Sequence, residues 1–168
     1  MKNRNIQLTK TAFFLALLLA LALPAAAQSE PPWTAQVVKI VDGDSLLVQN
    51  GGKEIEVRLF GVDCPEWRQP HGKEALTFTR NLAPPGTKVK IYPKGKDSGG
   101  RKLGRVFVGK KELNLALIKA GMAWWYARYA PLMTNYYEAQ EEAKKFSRGL
   151  WIDADPMPPW LWRKKHKK

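Results

Sequence analysis

The stretch Ala35-Gln-Val-Val-Lys-Ile-Val-Asp-Gly-Asp-Ser-Leu-Leu-Val-Gln-Asn-Gly-Gly-Lys-Glu-Ile-Glu-Val-Arg-Leu-Phe60 decides the fold. It holds three runs rich in Val, Ile and Leu: Ala35–Val41, Ser45–Gln49 and Glu54–Phe60. In the third, Glu54, Glu56 and Arg58 alternate with Ile55, Val57 and Leu59, the period of a half-buried strand. Asp42-Gly43-Asp44 separates the first two runs, and Asn50-Gly51-Gly52 the second and third. Gly and Asn tolerate positive φ, so both read as hairpin turns. Two further strands are predicted at Lys88–Tyr92 and Arg105–Val108, joined by a polar Gly/Lys loop. Helical spacing runs from Lys73 to Leu82, with Ala75, Leu76, Phe78, Thr79 and Leu82 on one face. Shorter and longer helices are predicted over Glu112–Ala120, closed by Gly121, and from Pro131 to about Phe146. A meander with helices between and after its strands predicts a small α+β domain on an OB-like barrel.

The ends carry other signals. Lys2, Arg4 and Lys10 precede an apolar run from Ala12 to Leu23, followed by Pro24 and Ala25-Ala26-Ala27. This is the pattern of a secretory signal peptide over 1–27, cut after Ala27, and it predicts a secreted or periplasmic protein. A bilayer span needs about 20 apolar residues, so no stable membrane insertion is expected after cleavage. Residues 28–34 read as a linker and 35–152 as the folded domain. Residues 153–168 read as a basic tail rich in Pro and Trp.

The 168 residues carry 28 Lys+Arg against 15 Asp+Glu, a net charge of +13. Such a balance favours a polyanionic partner. A composition 45% hydrophobic and 11% aromatic excludes a disordered polybasic chain. One Cys excludes an intramolecular disulfide and any multi-Cys metal site, and two His exclude a His-rich centre. Cys64 reads as a small apolar residue, because no His or Asn partner accompanies it in a recognisable pattern. His71-Gly72-Lys73 opens like the H-x-K of phospholipase D enzymes, but Phe78 stands where that pattern needs Asp. Nothing in the chain requires a dimer, so a monomer is expected.

Val57-Arg-Leu-Phe-Gly-Val-Asp-Cys-Pro-Glu66 carries the chemistry. It leaves the third strand and presents Asp63 and Glu66 around a proline. In a meander this end returns to the level of the first turn. If the second hairpin turns on Gly51-Gly52, Asp44 faces Leu59; if it turns on Asn50-Gly51, Asp44 faces Val57. Either register sets Asp42 and Asp44 beside Arg58 and brings Asp63 and Glu66 to the same rim. A hard divalent cation such as Ca²⁺ would relieve the repulsion. Neutralisation by Arg58, Arg68 and other basic groups is the alternative. Leu103-Gly104-Arg105-Val106 adds an arginine at the predicted start of a strand. Two arginines beside a metal suit phosphodiester chemistry, because guanidinium forks match phosphate oxygens and stay charged.

Taken in order, Asp42-Gly43-Asp44-Ser45, Arg58 to Glu66, and Gly104-Arg105 resemble the three motifs of the staphylococcal nuclease (thermonuclease) family. Gly72-Lys73-Glu74-Ala75, Gly121-Met122-Ala123 and Ser147-Arg-Gly149-Leu-Trp151 resemble its later landmarks. The resemblance implies a five-stranded OB-fold β-barrel with three α-helices and a Ca²⁺-dependent nuclease acting on DNA and RNA. It implies Asp44, Asp63 and the backbone carbonyl of Cys64 as metal ligands, with Cys64 standing where Thr is usual. It implies Asp42 as a supporting acid, Glu66 as general base or water-positioner, and Arg58 and Arg105 as phosphate ligands. The implied reaction is in-line attack by a metal-assisted water, leaving a 3′-phosphate and releasing a 5′-hydroxyl. Leu103 departs from the Tyr that often precedes Gly-Arg, and the loop between Glu66 and Gly72 is shorter than in the best-known member. The later phosphate-contacting tyrosine has no clean match, although Tyr126 and Tyr129 lie nearby. The rival readings are a catalytically inactive nucleic-acid-binding barrel and a cationic envelope-binding protein. Trp124, Trp125, Tyr126 and Tyr129 read as core or groove wall ahead of base-stacking groups. Trp160 and Trp162 read as a clamp onto the barrel or as an accessory substrate contact.

Overall fold

A computed structural model describes residues 30–166. The predicted signal segment lies outside the described residues. The chain runs β1 (Trp33–Asp42), β2 (Ser45–Asn50), β3 (Lys53–Leu59), β4 (Val62–Asp63), α1 (Gly72–Leu82), β5 (Lys88–Lys96), β6 (Lys102–Val108) and β7 (Lys111–Glu112). It continues through α2 (Leu113–Lys119), β8 (Trp124–Trp125), α3 (Thr134–Lys145), a 3-10 turn (Gly149–Ile152) and α4 (Pro159–Lys165).

Strands β1, β2, β3, β6 and β5 close into the expected five-stranded barrel. All neighbours are antiparallel except β3 and β6, whose parallel pairing joins the two ends of the sheet. The β2–β3 hairpin turns on Gly51 and Gly52, both at positive φ, so Asn50 faces Lys53 and Ser45 faces Arg58. The Leu59 N–H accordingly donates to the Asp44 carbonyl at 2.8 Å. Asn114, wholly buried on α2, secures the closure. Its amide donates to the carbonyls of Phe60 (2.9 Å) and Gly104 (3.2 Å), and its oxygen accepts from the Val106 N–H (3.0 Å).

The core is the barrel interior, with Leu46, Val48, Val57, Leu59, Val89, Ile91 and Val106 packed against one face each of α1, α2 and α3. A smaller cluster of Ala143, Leu150, Trp151 and Trp124 lies under the C-terminal segment.

Several features differ from the sequence reading. β1 begins at Trp33, inside the predicted 28–34 linker, and β5 runs on to Lys96, past the predicted Tyr92. β6 begins at Lys102, three residues before the predicted start, which puts Arg105 inside the strand. α3 starts at Thr134, because Pro131 belongs to the turn that precedes it. Among the described residues the α-helices number four, not three: the tail segment after Pro158 forms α4, with Pro159 at the first helical turn, where its missing N–H costs nothing. Its indole Trp160 stacks on Tyr126 and meets Trp124 edge-on, so the tail is a clamp on the barrel rim. Among the described residues, no helix is long and apolar enough to cross a membrane.

Candidate active site at the barrel rim

The β1–β2 turn supplies Asp42 and Asp44. It is tight because Gly43 has no side chain: a Cβ there would lie 2.7 Å from the Cys64 Cβ and 3.1 Å from that of Ala75. Thr79 of α1 donates its hydroxyl to the Gly43 carbonyl at 2.6 Å, and the Asp44 N–H donates to Asp42 Oδ1 at 3.0 Å. The turn is thus fixed from the helix and from within.

Asp44 is 2% exposed and Asp63 is wholly buried. Arg58, in the middle of the rim, bridges them. Its Nη1 lies 2.9 Å from Asp44 Oδ1, and its Nη2 lies 2.6 Å from Asp63 Oδ1. The Cys64 N–H donates to Asp44 Oδ2 at 2.8 Å. Burial pushes the Asp44 carboxyl well above the usual carboxylate range; Arg58 offsets this only in part, and Asp42 and Asp63 add to it. Burial likewise pushes the Cys64 thiol up, with Asp44 reinforcing the shift, so its sulfur is a packed thiol and not a thiolate ligand.

Glu66 follows on a short loop. Gly72 is required there, because a Cβ at that position would sit 1.9 Å from the Glu66 carbonyl oxygen. Gln69 accepts the Glu66 N–H (3.1 Å) and donates to the Met157 carbonyl (2.6 Å), tying the loop to the segment before α4. The Glu66 carboxylate faces the cluster, and Arg163 of α4 reaches it. Arg163 Nη1 lies 2.6 Å from Glu66 Oε1 and 3.1 Å from Asp63 Oδ1, and its Nη2 lies 2.8 Å from Asp63 Oδ2. Partial burial opposes the charge on Arg163, but the bonds to Asp63 and Glu66 outweigh it and raise its pKa.

The expected convergence of Asp42, Asp44, Asp63 and Glu66 with Arg58 is therefore present. Arg105 is not part of it. Its guanidinium turns to Glu112, Nε to Oε1 at 2.8 Å and Nη2 to Oε2 at 2.6 Å, and Glu112 also accepts from the buried Tyr136 hydroxyl. Arg101 lies at the site instead. It lines a cleft of about 520 Å³ together with Asp42, Arg58, Glu66, Tyr129 and Arg163. Asp97 builds its turn, accepting from the N–H groups of Gly99 and Arg101 at 2.9 Å each and from Arg101 Nε at 2.7 Å. Arg101 Nη1 stands 3.4 Å from both Ser45 Oγ and Glu56 Oε1. The sequence offered the same dipeptide twice, as Gly100-Arg101 and Gly104-Arg105. The register of β6 separates them: Leu103 pairs with Arg58 and Gly104 with Leu59, so Arg101 sits just before the strand, at the rim.

Among the described residues, no three acidic, His or Cys side chains meet as a ligand set. A cation here would be held by the carboxylates of Asp44 and Asp63 and by the Cys64 carbonyl. That set fits a hard divalent cation, because its donors are all oxygen and two of them are carboxylates.

The family described as "Staphylococcal nuclease homologue" matches residues 56–153. The chain belongs to the staphylococcal nuclease family. Asp42 and Asp44 precede the matched residues, but relatives align over longer stretches. An "Uncharacterized endonuclease" of Haemophilus influenzae is 38% identical over 170 residues, covering 99% of this chain and 89% of its own. A "Micrococcal nuclease" of Shigella flexneri is 34% identical over 158 residues, covering 83% and 87%. A "Thermonuclease" of Staphylococcus hyicus is 34% identical over 127 residues, covering 70% and 75%.

Proposed function

We propose that this protein is a Ca²⁺-dependent, sugar-nonspecific nuclease that hydrolyses phosphodiester bonds of DNA and RNA to 3′-phosphate and 5′-hydroxyl ends. The observation that carries this reading is Arg58 bridging two buried aspartates beside Glu66, at the mouth of a cleft that Arg101 also lines. Family membership supports nucleic-acid hydrolysis, and the names of the relatives agree with it. The signal pattern at 1–27 supports export, and the basic balance of the chain suits a polyanionic substrate.

Asp44, Asp63 and the Cys64 carbonyl would hold the cation, which when bound supplies Lewis-acid polarisation of a phosphoryl oxygen. Arg58 and Arg101 bind the same phosphate with guanidinium forks and favour the extra charge of the five-coordinate transition state. Glu66 orients a water for in-line attack and takes its proton. The bond from phosphorus to the water oxygen forms as the bond to the 5′ oxygen breaks, and that oxygen takes up a proton from solvent. Tyr129, at the cleft wall and more than half exposed, offers a face to a base.

The test is cleavage of denatured DNA and of RNA in low salt, with Ca²⁺ and with a Ca²⁺ chelator. Cleavage of both substrates only with Ca²⁺ is expected. Binding without cleavage in either condition would favour the inactive barrel, and cleavage persisting with the chelator would overturn the calcium assignment.

A further inference from the structure

Arg163 reaches the site from far along the chain, 100 residues beyond Asp63 and 97 beyond Glu66. Its guanidinium takes both oxygens of Asp63 and one of Glu66. Asp63 is wholly buried, and Arg58 already donates to its Oδ1. Its two oxygens thus accept three guanidinium N–H groups, and a cation that binds Asp63 competes with a guanidinium. Arg58 is the harder one to move, because it stands on a barrel strand, is 17% exposed and bridges two aspartates. Arg163 stands on a seven-residue helix outside the barrel and is 39% exposed.

We infer that Arg163 is a cation surrogate: it holds Asp63 and Glu66 together in the cation-free protein, and a divalent cation loads by displacing it. The inference rests on the Ca²⁺ reading of the site. Positive charge placed on Asp63 repels the guanidinium beside it and frees Glu66 for water. The helix has a way to yield without leaving. Trp160 stacks on Tyr126 at 4.9 Å between centroids and 7° between planes, and Gln69 grips the Met157 carbonyl. These anchors lie at or before the first turn of α4, so the turn that carries Arg163 swings on them. The helix is thus a strap whose tip is closed on the carboxylates and opens when the cation binds. Gln69 couples the two ends of the device, because it holds the Glu66 N–H and the base of the strap with one side chain.

The experiment is calorimetric Ca²⁺ titration of the full chain without substrate, for wild type, Arg163→Ala and Arg163→Lys, with thermal unfolding to confirm that each is folded. Removing the competitor should tighten Ca²⁺ binding about ten-fold, the equivalent of one charge-assisted hydrogen bond. Arg163→Lys should fall between, since one ammonium cannot span both carboxylates as a fork does. Amide hydrogen exchange over 159–165 in the wild type should quicken on Ca²⁺ addition. Equal or weaker Ca²⁺ binding by Arg163→Ala, or exchange that does not respond, overturns the inference while leaving the calcium site standing. Failure of every variant to bind Ca²⁺ removes the calcium reading and the inference together.

Discussion

Arg105 and Glu112 form a bidentate ion pair, with both guanidinium-to-carboxylate distances under 3 Å, and the pair lies away from the carboxylate rim. Arg101, four residues earlier, stands in the cleft. The two arginines should therefore fail differently. Arg101→Ala should lower kcat by about 10²–10³, the usual loss for one donor to a transition-state oxygen, with little change in thermal stability. Arg105→Ala should lower stability by about 2 kcal/mol, because Glu112 loses a charge-assisted partner, while retaining most of the activity per folded molecule. Parallel rate and unfolding measurements on the two variants check this. The reverse pattern would return Arg105 to the site.

Tyr136 is wholly buried and donates its hydroxyl to Glu112. Burial first, then that bond, push its phenol far above the ordinary value of 10.0. The folded state thus keeps the proton where the unfolded chain would release it. The stability tied to this group is full below about pH 10 and falls as pH rises beyond it. Tyr136→Phe should cost about 2 kcal/mol at neutral pH. The gap between wild type and variant should narrow above pH 10 in denaturant titrations. A gap constant with pH would remove the hydroxyl from the account.

Among the described residues the Glu66 carboxylate pairs with Arg163, and its loop is held by backbone bonds, by Gln69 and by the close approach of Gly72. Glu66→Gln should therefore leave the loop and the thermal midpoint in place and reduce the rate by about 10²–10⁴, the range for loss of a general base. Gly72→Ala should disturb both loop and rate, since its Cβ would overlap the Glu66 carbonyl. Circular dichroism, unfolding and kcat distinguish the two outcomes.

Cys64 contributes a buried side chain against Gly43 and, in this account, only its carbonyl to a cation. Cys64→Ala should cost about 1 kcal/mol of stability from lost packing and leave Ca²⁺ affinity unchanged. Thiol reagents should leave the folded protein unmodified. A marked drop in Ca²⁺ affinity would mean that the sulfur matters to the site.

The barrel was legible because its signals are local. Alternating Glu54 to Leu59 and the Asn50-Gly51-Gly52 turn sit within a few residues of one another, and they narrow the β2–β3 pairing to two registers, of which the structure takes the one turning on Gly51-Gly52. The meander then brings Asp42, Asp44, Arg58, Asp63 and Glu66 together by topology alone. Two features were not legible. The choice between Arg101 and Arg105 depends on where β6 starts, and that is set by Asp97 folding back on Arg101 and by the parallel pairing with β3, not by strand propensity. Arg163 and Glu66 meet only because Trp160 finds Tyr126 and Gln69 finds Met157, contacts of long separation that leave no periodic trace in a tail rich in Pro and Lys. The Pro158-Pro159 start of α4 was the available sign, since Pro at the first turn begins helices as readily as it ends them.

The most direct measurement of the central claim is the chemistry of the cut. A single-stranded oligonucleotide labelled at its 5′ end is digested with Ca²⁺, and the products are treated with a phosphatase that removes 3′-phosphates. Hydrolysis at this rim should give labelled fragments whose mobility shifts on phosphatase treatment, with new 5′ ends that accept phosphate from a kinase directly. Fragments that end in 3′-hydroxyl, with 5′-phosphate on the other side of the cut, would contradict the account.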